Sequence, residues 1–193
     1  MDTYHVVLYL HLLSLVLALI AVGIMGACLF GLRSAQTLAE AGPWGMLAGK
    51  TERVFPVAIL GLFGTGAYMT ADSWTWSTGW IAVSIGGLAL LALQGPFLAG
   101  ARAKLLEHAL IANGPGPLGE EARRMTRDPI LWIVTFANPA IALGIIWNMT
   151  LKPATAGAVA AVVLAYCVGA ALALFFTRAA PAAEAGPVEE PAG

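Results

Sequence analysis

Long uninterrupted apolar stretches alternate with short polar segments along most of this chain. Five stretches, at residues 4–32, 53–70, 79–101, 129–150 and 155–177, reach or approach the roughly 20 apolar residues that a helix needs to cross a hydrocarbon core. Lipid offers no partner for backbone groups, so each segment must satisfy its own hydrogen bonds as a helix. The pattern predicts an all-α, polytopic transmembrane bundle of five spans, occupying residues 1–178.

Composition agrees with a membrane domain. Of the 193 residues, 59% are hydrophobic and only 11% are charged, against about 25% charged residues in a typical soluble domain. The net charge of −1 and the absence of a basic block argue against a nucleic-acid partner; the expected partner is the lipid bilayer. Residues 179–193 are rich in Ala, Pro and Glu, a composition that predicts a disordered cytoplasmic tail.

Charges in the connecting segments predict an orientation. The first and third loops carry most of the positive side chains, namely Arg33, Lys50, Arg53, Arg102, Lys104, Arg123, Arg124 and Arg127. The second loop has Asp72 and no positive charge, and the fourth has only Lys152. Because cytoplasmic loops carry an excess of Lys and Arg, the N-terminus is expected outside and the C-terminus inside. The basic third loop is also expected to face anionic headgroups.

His11 is the main candidate for chemistry, because it is the only ionisable side chain well inside any of the five spans. Such residues are costly in lipid and usually face protein or a cavity. Helical spacing puts His11 on one face with small, polar or flexible residues: Ser14, Ala18, Ala21 and Met25. That face is expected to pack inward. A neutral imidazole there can hydrogen-bond to another helix, ligate haem iron or copper, or relay protons.

A second ligand would have to come from another span. At the depth of His11, the second span offers Thr65 and Met69, and the third span offers Ser84. A methionine thioether can be an axial ligand of haem, although a methionine at such a position is more often a packing residue. The predicted cofactor site is therefore His11 with Met69, the predicted metal ligand is His11, and the expected cofactor is haem b or copper.

Two amide side chains precede prolines toward the inner half of the third and fourth spans. Gln94 precedes Gly95-Pro96, and Asn138 precedes Pro139. A proline frees a carbonyl one turn earlier and kinks its helix. Gln94 and Asn138 therefore either satisfy freed backbone groups or line a polar cavity open to the cytoplasm.

Three segments resemble known bacterial membrane proteins. The opening YHVVLYLHLLSLVLALIAVG and the second span TERVFPVAILGLFGTGAYMT resemble the copper-resistance protein D family. The WNMTLKP end of the fourth span is similar to an uncharacterised bacterial family of integral membrane proteins. That family is itself a remote relative of copper-resistance protein D and of the bacterial membrane protoporphyrinogen IX oxidase. The resemblance implies a multi-pass protein of the bacterial cytoplasmic (inner) membrane.

The same resemblance bears on chemistry. The oxidase family uses a first-span histidine, which His11 matches in type, and a lysine near the start of the third span. Here that region reads TGWIAVSIGG and has no lysine, which speaks against oxidase activity.

Three functions fit these features. The first is haem or copper binding through His11, in redox or metal handling. The second is a non-catalytic subunit that packs against a membrane-protein partner or against further copies of this chain. The third is a small-solute carrier that uses Gln94 and Asn138. The sequence contains no complete catalytic motif, so it leaves open whether the protein is an enzyme.

Overall fold

The computed structural model describes residues 2–178, and this part of the chain is 88% helical and contains no strand. The α-helices are α1 (Thr3–Ser34), α2 (Leu38–Glu52), α3 (Val54–Ser73), α4 (Gly79–Gln94), α5 (Ala101–Asn113), α6 (Glu120–Thr126), α7 (Pro129–Leu151) and α8 (Thr155–Arg178). A π-helical turn, Gly95–Gly100, joins α4 to α5. The five predicted spans are confirmed as five helical segments that are long and apolar enough to cross a membrane. The proposed tail at 179–193 lies outside the described residues.

The first loop differs from its prediction, because most of it is helix α2. Thr37 caps this helix by accepting a hydrogen bond from the backbone N–H of Glu40 at 3.3 Å. The Glu40 carboxylate in turn accepts a bond from the Gln36 N–H at 2.8 Å. This reciprocal arrangement is close to a capping box. Helix α2 then runs almost directly into α3, with a break only at Arg53.

The third loop is also largely helical. The chain of the third span continues through the π-helical turn into α5, and α6 is a short helix before the fourth span. Pro96 lies in the π-helical turn, which is consistent with the loss of its N–H from the normal hydrogen-bond ladder. Asp128 is the N-cap residue of α7. Its carboxylate accepts hydrogen bonds from the backbone N–H groups of Ile130 and Leu131 at 2.9 and 3.0 Å.

Helices α7 and α8 make the most extensive contact in the bundle, and α1 packs mainly on α3. Small residues allow the α7–α8 approach: Gly144 faces the backbone of Val162, and Gly169 faces the backbone of Ala137. Short connections make successive spans antiparallel. The bundle therefore has a tryptophan end, with Trp74, Trp76, Trp80 and Trp147, and a basic end, with Arg33, Arg102, Arg123, Arg124 and Arg127.

Buried side chains concentrate near the basic end. Trp132 is fully buried there, and its indole N–H donates to the Thr126 carbonyl at 2.9 Å. The ring stacks on Phe136 and meets the edge of Phe30, with ring centroids 5.9 and 5.0 Å apart. The Arg33 guanidinium lies over the same indole, 4.8 Å from its centroid. This cluster ties α1, α6 and α7 together at one end of the bundle.

Candidate ligand-binding cavity

A cavity of about 290 Å³ lies between α1, α3, α4 and α7, in the half of the bundle nearer the tryptophan end. Most of its wall is aliphatic or aromatic. The side chains with polar or soft atoms on this wall include His11, Met69, Thr70, Ser84, Met149 and Lys152. Ligand sites in proteins are typically apolar clefts of about 300–1,000 Å³ with a few polar groups. This cavity is at the small end of that range.

His11 is oriented by a hydrogen bond to the neighbouring helix. The side chain is 5% exposed, and its Nδ1 lies 2.8 Å from the hydroxyl oxygen of Thr65 on α3. The Thr65 hydroxyl proton is used within α3, where it donates to the Gly61 carbonyl at 2.5 Å. Thr65 can therefore only accept from His11, which assigns the imidazole proton to Nδ1. The lone pair of the neutral ring is then on Nε2.

The other ring nitrogen has no partner in the described part of the chain. His11 belongs to the cavity wall, and Nε2 makes no hydrogen bond within residues 2–178. An imidazole that donates through one nitrogen and offers a lone pair from the other is the usual state of a metal-ligating histidine. The same state suits a histidine that accepts a hydrogen bond from a ligand.

Gly61 of α3 allows the close approach of α3 to α1. A Cβ at Gly61 would overlap the Ser14 hydroxyl, whereas a Cβ at Gly66 would make an ordinary contact, 3.4 Å from His11 Cε1. Gly61 therefore lets α3 approach the His11 face of α1. The predicted inward packing of that face is confirmed by these contacts and by the burial of Ala21.

The tryptophan end of the cavity is aromatic and carries one cation. Trp74 and Trp80 meet edge to face with centroids 5.3 Å apart, and the Lys152 ammonium lies 4.6 Å from the Trp74 centroid. The hydroxyls of Thr70 and Ser84 are used within their own helices, donating to the carbonyls of Gly66 and Trp80 at 2.8 and 2.7 Å. The polar groups left on this wall to fix part of a ligand are therefore His11, Lys152, the Tyr4 hydroxyl and the indole N–H groups of Trp74, Trp76 and Trp80.

The structure brings some predicted site residues together. His11, Met69 and Ser84 line the same cavity, and Thr65 bonds directly to His11. The sequence predicts that these four residues lie at a similar depth, since helical rise places them at one level of their spans. Met149 and Lys152 were missed as wall residues. Their only signal was their position at the same end of the fourth span.

Gln94 and Asn138 lie elsewhere. Gln94 Oε1 and Asn138 Oδ1 are both buried without a hydrogen-bond partner in residues 2–178. Neither side chain lines the cavity at His11. A shared polar cavity for these two amides remains a prediction.

Metal ligands of the common kinds do not cluster in the described residues. Within residues 2–178, no group of three or more His, Cys, Asp or Glu side chains is placed to hold a metal ion. A metal at His11 would therefore depend on thioether or cofactor ligands. Met69 and Met149 are the thioethers on the cavity wall, and soft donors of this type favour copper(I) or haem iron.

The chain matches no protein-family model, and no curated protein or solved structure matches it significantly. The part of the chain that the structure describes is a helical bundle with five helices long and apolar enough to span a membrane, which is the architecture of a multi-pass membrane protein.

Proposed function

We propose that this membrane protein holds a haem or a copper ion against His11, in redox or metal handling. The observation that carries the proposal is the state of His11: its Nδ1 is engaged by Thr65, and its ring belongs to an apolar cavity wall, where Nε2 makes no side-chain hydrogen bond within residues 2–178. When bound, haem or copper would supply one-electron redox chemistry.

The chain's own residues have separate parts in this proposal. His11 would bind the metal through Nε2, while Thr65 fixes the ring and its tautomer. Met69 would supply a thioether from the adjacent helix, one turn beyond Thr65. The apolar wall excludes water, which is one way in which proteins set redox potential. Lys152 would suit a carboxylate on the ligand at the tryptophan end.

The proposed setting is a bacterial cytoplasmic membrane, with the N-terminus outside and the basic end in the cytoplasm. Loop charge supports this orientation, since positive residues gather at one end of the bundle. In that orientation the His11 cavity lies in the outer half of the membrane.

The test is an absorption spectrum and a copper analysis of protein purified after expression with haem precursor or copper supplied. Wild-type protein should carry a Soret band or bound copper, and His11→Ala should lose it while still inserting. His5→Ala is the matched control, because His5 is on the same helix but exposed, and it should keep the cofactor. Wild-type protein without haem or copper, or a His11→Ala variant that retains either, would contradict the proposal.

One observation favours a second function, the packing subunit of a larger complex. The bond between His11 and Thr65 is an interhelical contact of the kind that stabilises membrane bundles, so His11 has a structural use without any cofactor. Under this alternative His11→Gln should be tolerated, because an amide can restore the bond. A partner should also remain bound on mild detergent extraction.

A further inference from the structure

The basic end of the bundle contains a second pocket, of about 860 Å³, far along α7 from the His11 cavity. It is formed where α5, α6 and the start of α7 meet. Four arginines and two carboxylates line it: Arg102, Arg123, Arg124, Arg127, Glu120 and Asp128. Positive side chains therefore outnumber negative ones in the wall, which makes an anion the expected ligand.

Two of the arginines are held in place by the fold. The Arg123 Nε–H donates to the Leu118 carbonyl at 2.9 Å. Arg102 Nη1 lies 3.4 Å from Asp128 Oδ2, while the other oxygen of Asp128 caps α7. Each guanidinium carries five N–H donors, so these contacts orient Arg102 and Arg123 and leave further donors for a ligand.

The other two arginines have weaker ties. Arg124 pairs with Glu121 at 2.9 Å, but both side chains are well exposed, and exposed pairs contribute little. Arg127 makes no ion pair and no side-chain hydrogen bond within residues 2–178. Guanidinium groups match phosphate oxygens in a bidentate geometry. The guanidinium groups of Arg124 and Arg127 are therefore available to bind a phosphate at the side of the pocket that α6 forms.

The depth of the pocket indicates the source of that phosphate. The apolar stretch of α7 starts at Pro129 and Ile130, immediately after Asp128, so the pocket lies at the level of the lipid headgroups. Leu118, Met125 and Pro129 give it an apolar wall beside the arginines. Basic pockets beside transmembrane helices at this level bind anionic headgroups. We propose that this pocket is a binding site for the phosphodiester of an anionic phospholipid.

A bound phosphodiester would connect α5 and α6, two helices that share few ionic contacts in this structure. Arg102 is on α5, whereas Arg123, Arg124 and Arg127 are on α6 or directly after it. The ligand should therefore fasten α6 to α5 and stabilise the folded protein.

The experiment uses the full-length protein in a mild, uncharged detergent. Binding is followed by native mass spectrometry and by the melting temperature, with phosphatidylglycerol, phosphatidylcholine or inorganic phosphate added. Phosphatidylglycerol should bind and raise the melting temperature, phosphatidylcholine should do neither, and millimolar inorganic phosphate should not displace the lipid. If inorganic phosphate stabilises the protein and displaces phosphatidylglycerol, free phosphate is the ligand and the lipid assignment is wrong.

Charge-matched variants separate a built site from general attraction to a negative surface. Arg124→Gln/Arg127→Gln should weaken phosphatidylglycerol binding about 30-fold, taking a typical gain for each basic residue near an anionic surface. Lys50→Gln/Lys104→Gln removes the same charge from exposed positions outside the pocket and should change binding much less. Equal losses in the two double variants, or no loss in the arginine variant, would overturn the proposal. Melting temperatures without added lipid verify that both variants fold.

Discussion

The contact between α7 and α8 leads to a sharp stability prediction at Gly169. A Cβ built at this position would lie 2.7 Å from Ala137 Cα and from the Phe136 carbonyl oxygen, and 2.9 Å from Ala140 Cβ. Separations below 3.0 Å are essentially never found for real Cβ atoms. Two of these neighbours are backbone atoms, which cannot rotate away. Gly169→Ala therefore has to push α7 and α8 apart.

Two opposing effects set the magnitude. Alanine is favoured over glycine inside a helix by up to about 1 kcal/mol. Overpacking a close contact costs roughly 1–3 kcal/mol, and the upper part of that range applies because backbone atoms are involved. The net expectation is a loss of roughly 1–2 kcal/mol in the free energy of unfolding. Gly169→Leu should cost more, since its additional carbon atoms enter the same contact.

Gly86→Ala is the matched control. Gly86 is also inside a long apolar helix, α4, but a Cβ there meets nothing within 4 Å, so this variant should be unchanged or slightly more stable. The assay is unfolding of purified protein by titration of SDS into a mild detergent, followed by circular dichroism. If Gly169→Ala and Gly86→Ala unfold at the same SDS fraction, the close approach of α7 and α8 at Gly169 is refuted.

Two further predictions concern orientation and the core at the basic end. A reporter fused after Arg178 should be active in the cytoplasm and one inserted at Asp72 should be active outside; reversed signals would contradict the charge-based orientation. Trp132→Ala should lower the free energy of unfolding by roughly 3–5 kcal/mol, the usual cost of deleting a buried indole. Trp147→Ala, at a position 56% exposed, should change it by less than ~0.5 kcal/mol, and similar losses in both tryptophan variants would show that Trp132 is not a core residue.

The spans could be predicted from sequence because a single physical constraint determines them. A bilayer requires helices of fixed minimum length, and apolar runs of that length are unambiguous. Helix α2 lacked such a constraint: its sequence, LAEAGPWGMLAGKTE, contains three glycines and an internal proline, which are poor helix formers. Its one local signal was Thr37 followed three residues later by Glu40, the spacing of a capping box.

The candidate site could be predicted only in part. His11 stands out in the sequence because ionisable groups are costly in lipid, and helical rise placed Thr65 and Met69 near its depth. The sequence does not give the rotation of each helix about its axis. That rotation decides that Thr65 meets the His11 ring and that Met149 and Lys152 reach the same cavity, whereas Gln94 and Asn138 are separated from it by their depth.

The surroundings of a glycine do not follow from its place in the sequence, so the helix packing has to be known before such a site can be located. The spans contain many glycines that look equivalent in sequence, yet their surroundings differ. Gly169 lies against the backbone of α7, Gly66 lies beside the His11 ring, and Gly86 has nothing within 4 Å in the described structure. Helices α7 and α8 make the most extensive contact in the bundle, whereas α3 and α4 contact each other only sparsely. Residues of both α3 and α4 line the cavity, so the space beside His11 lies where these two helices pack loosely.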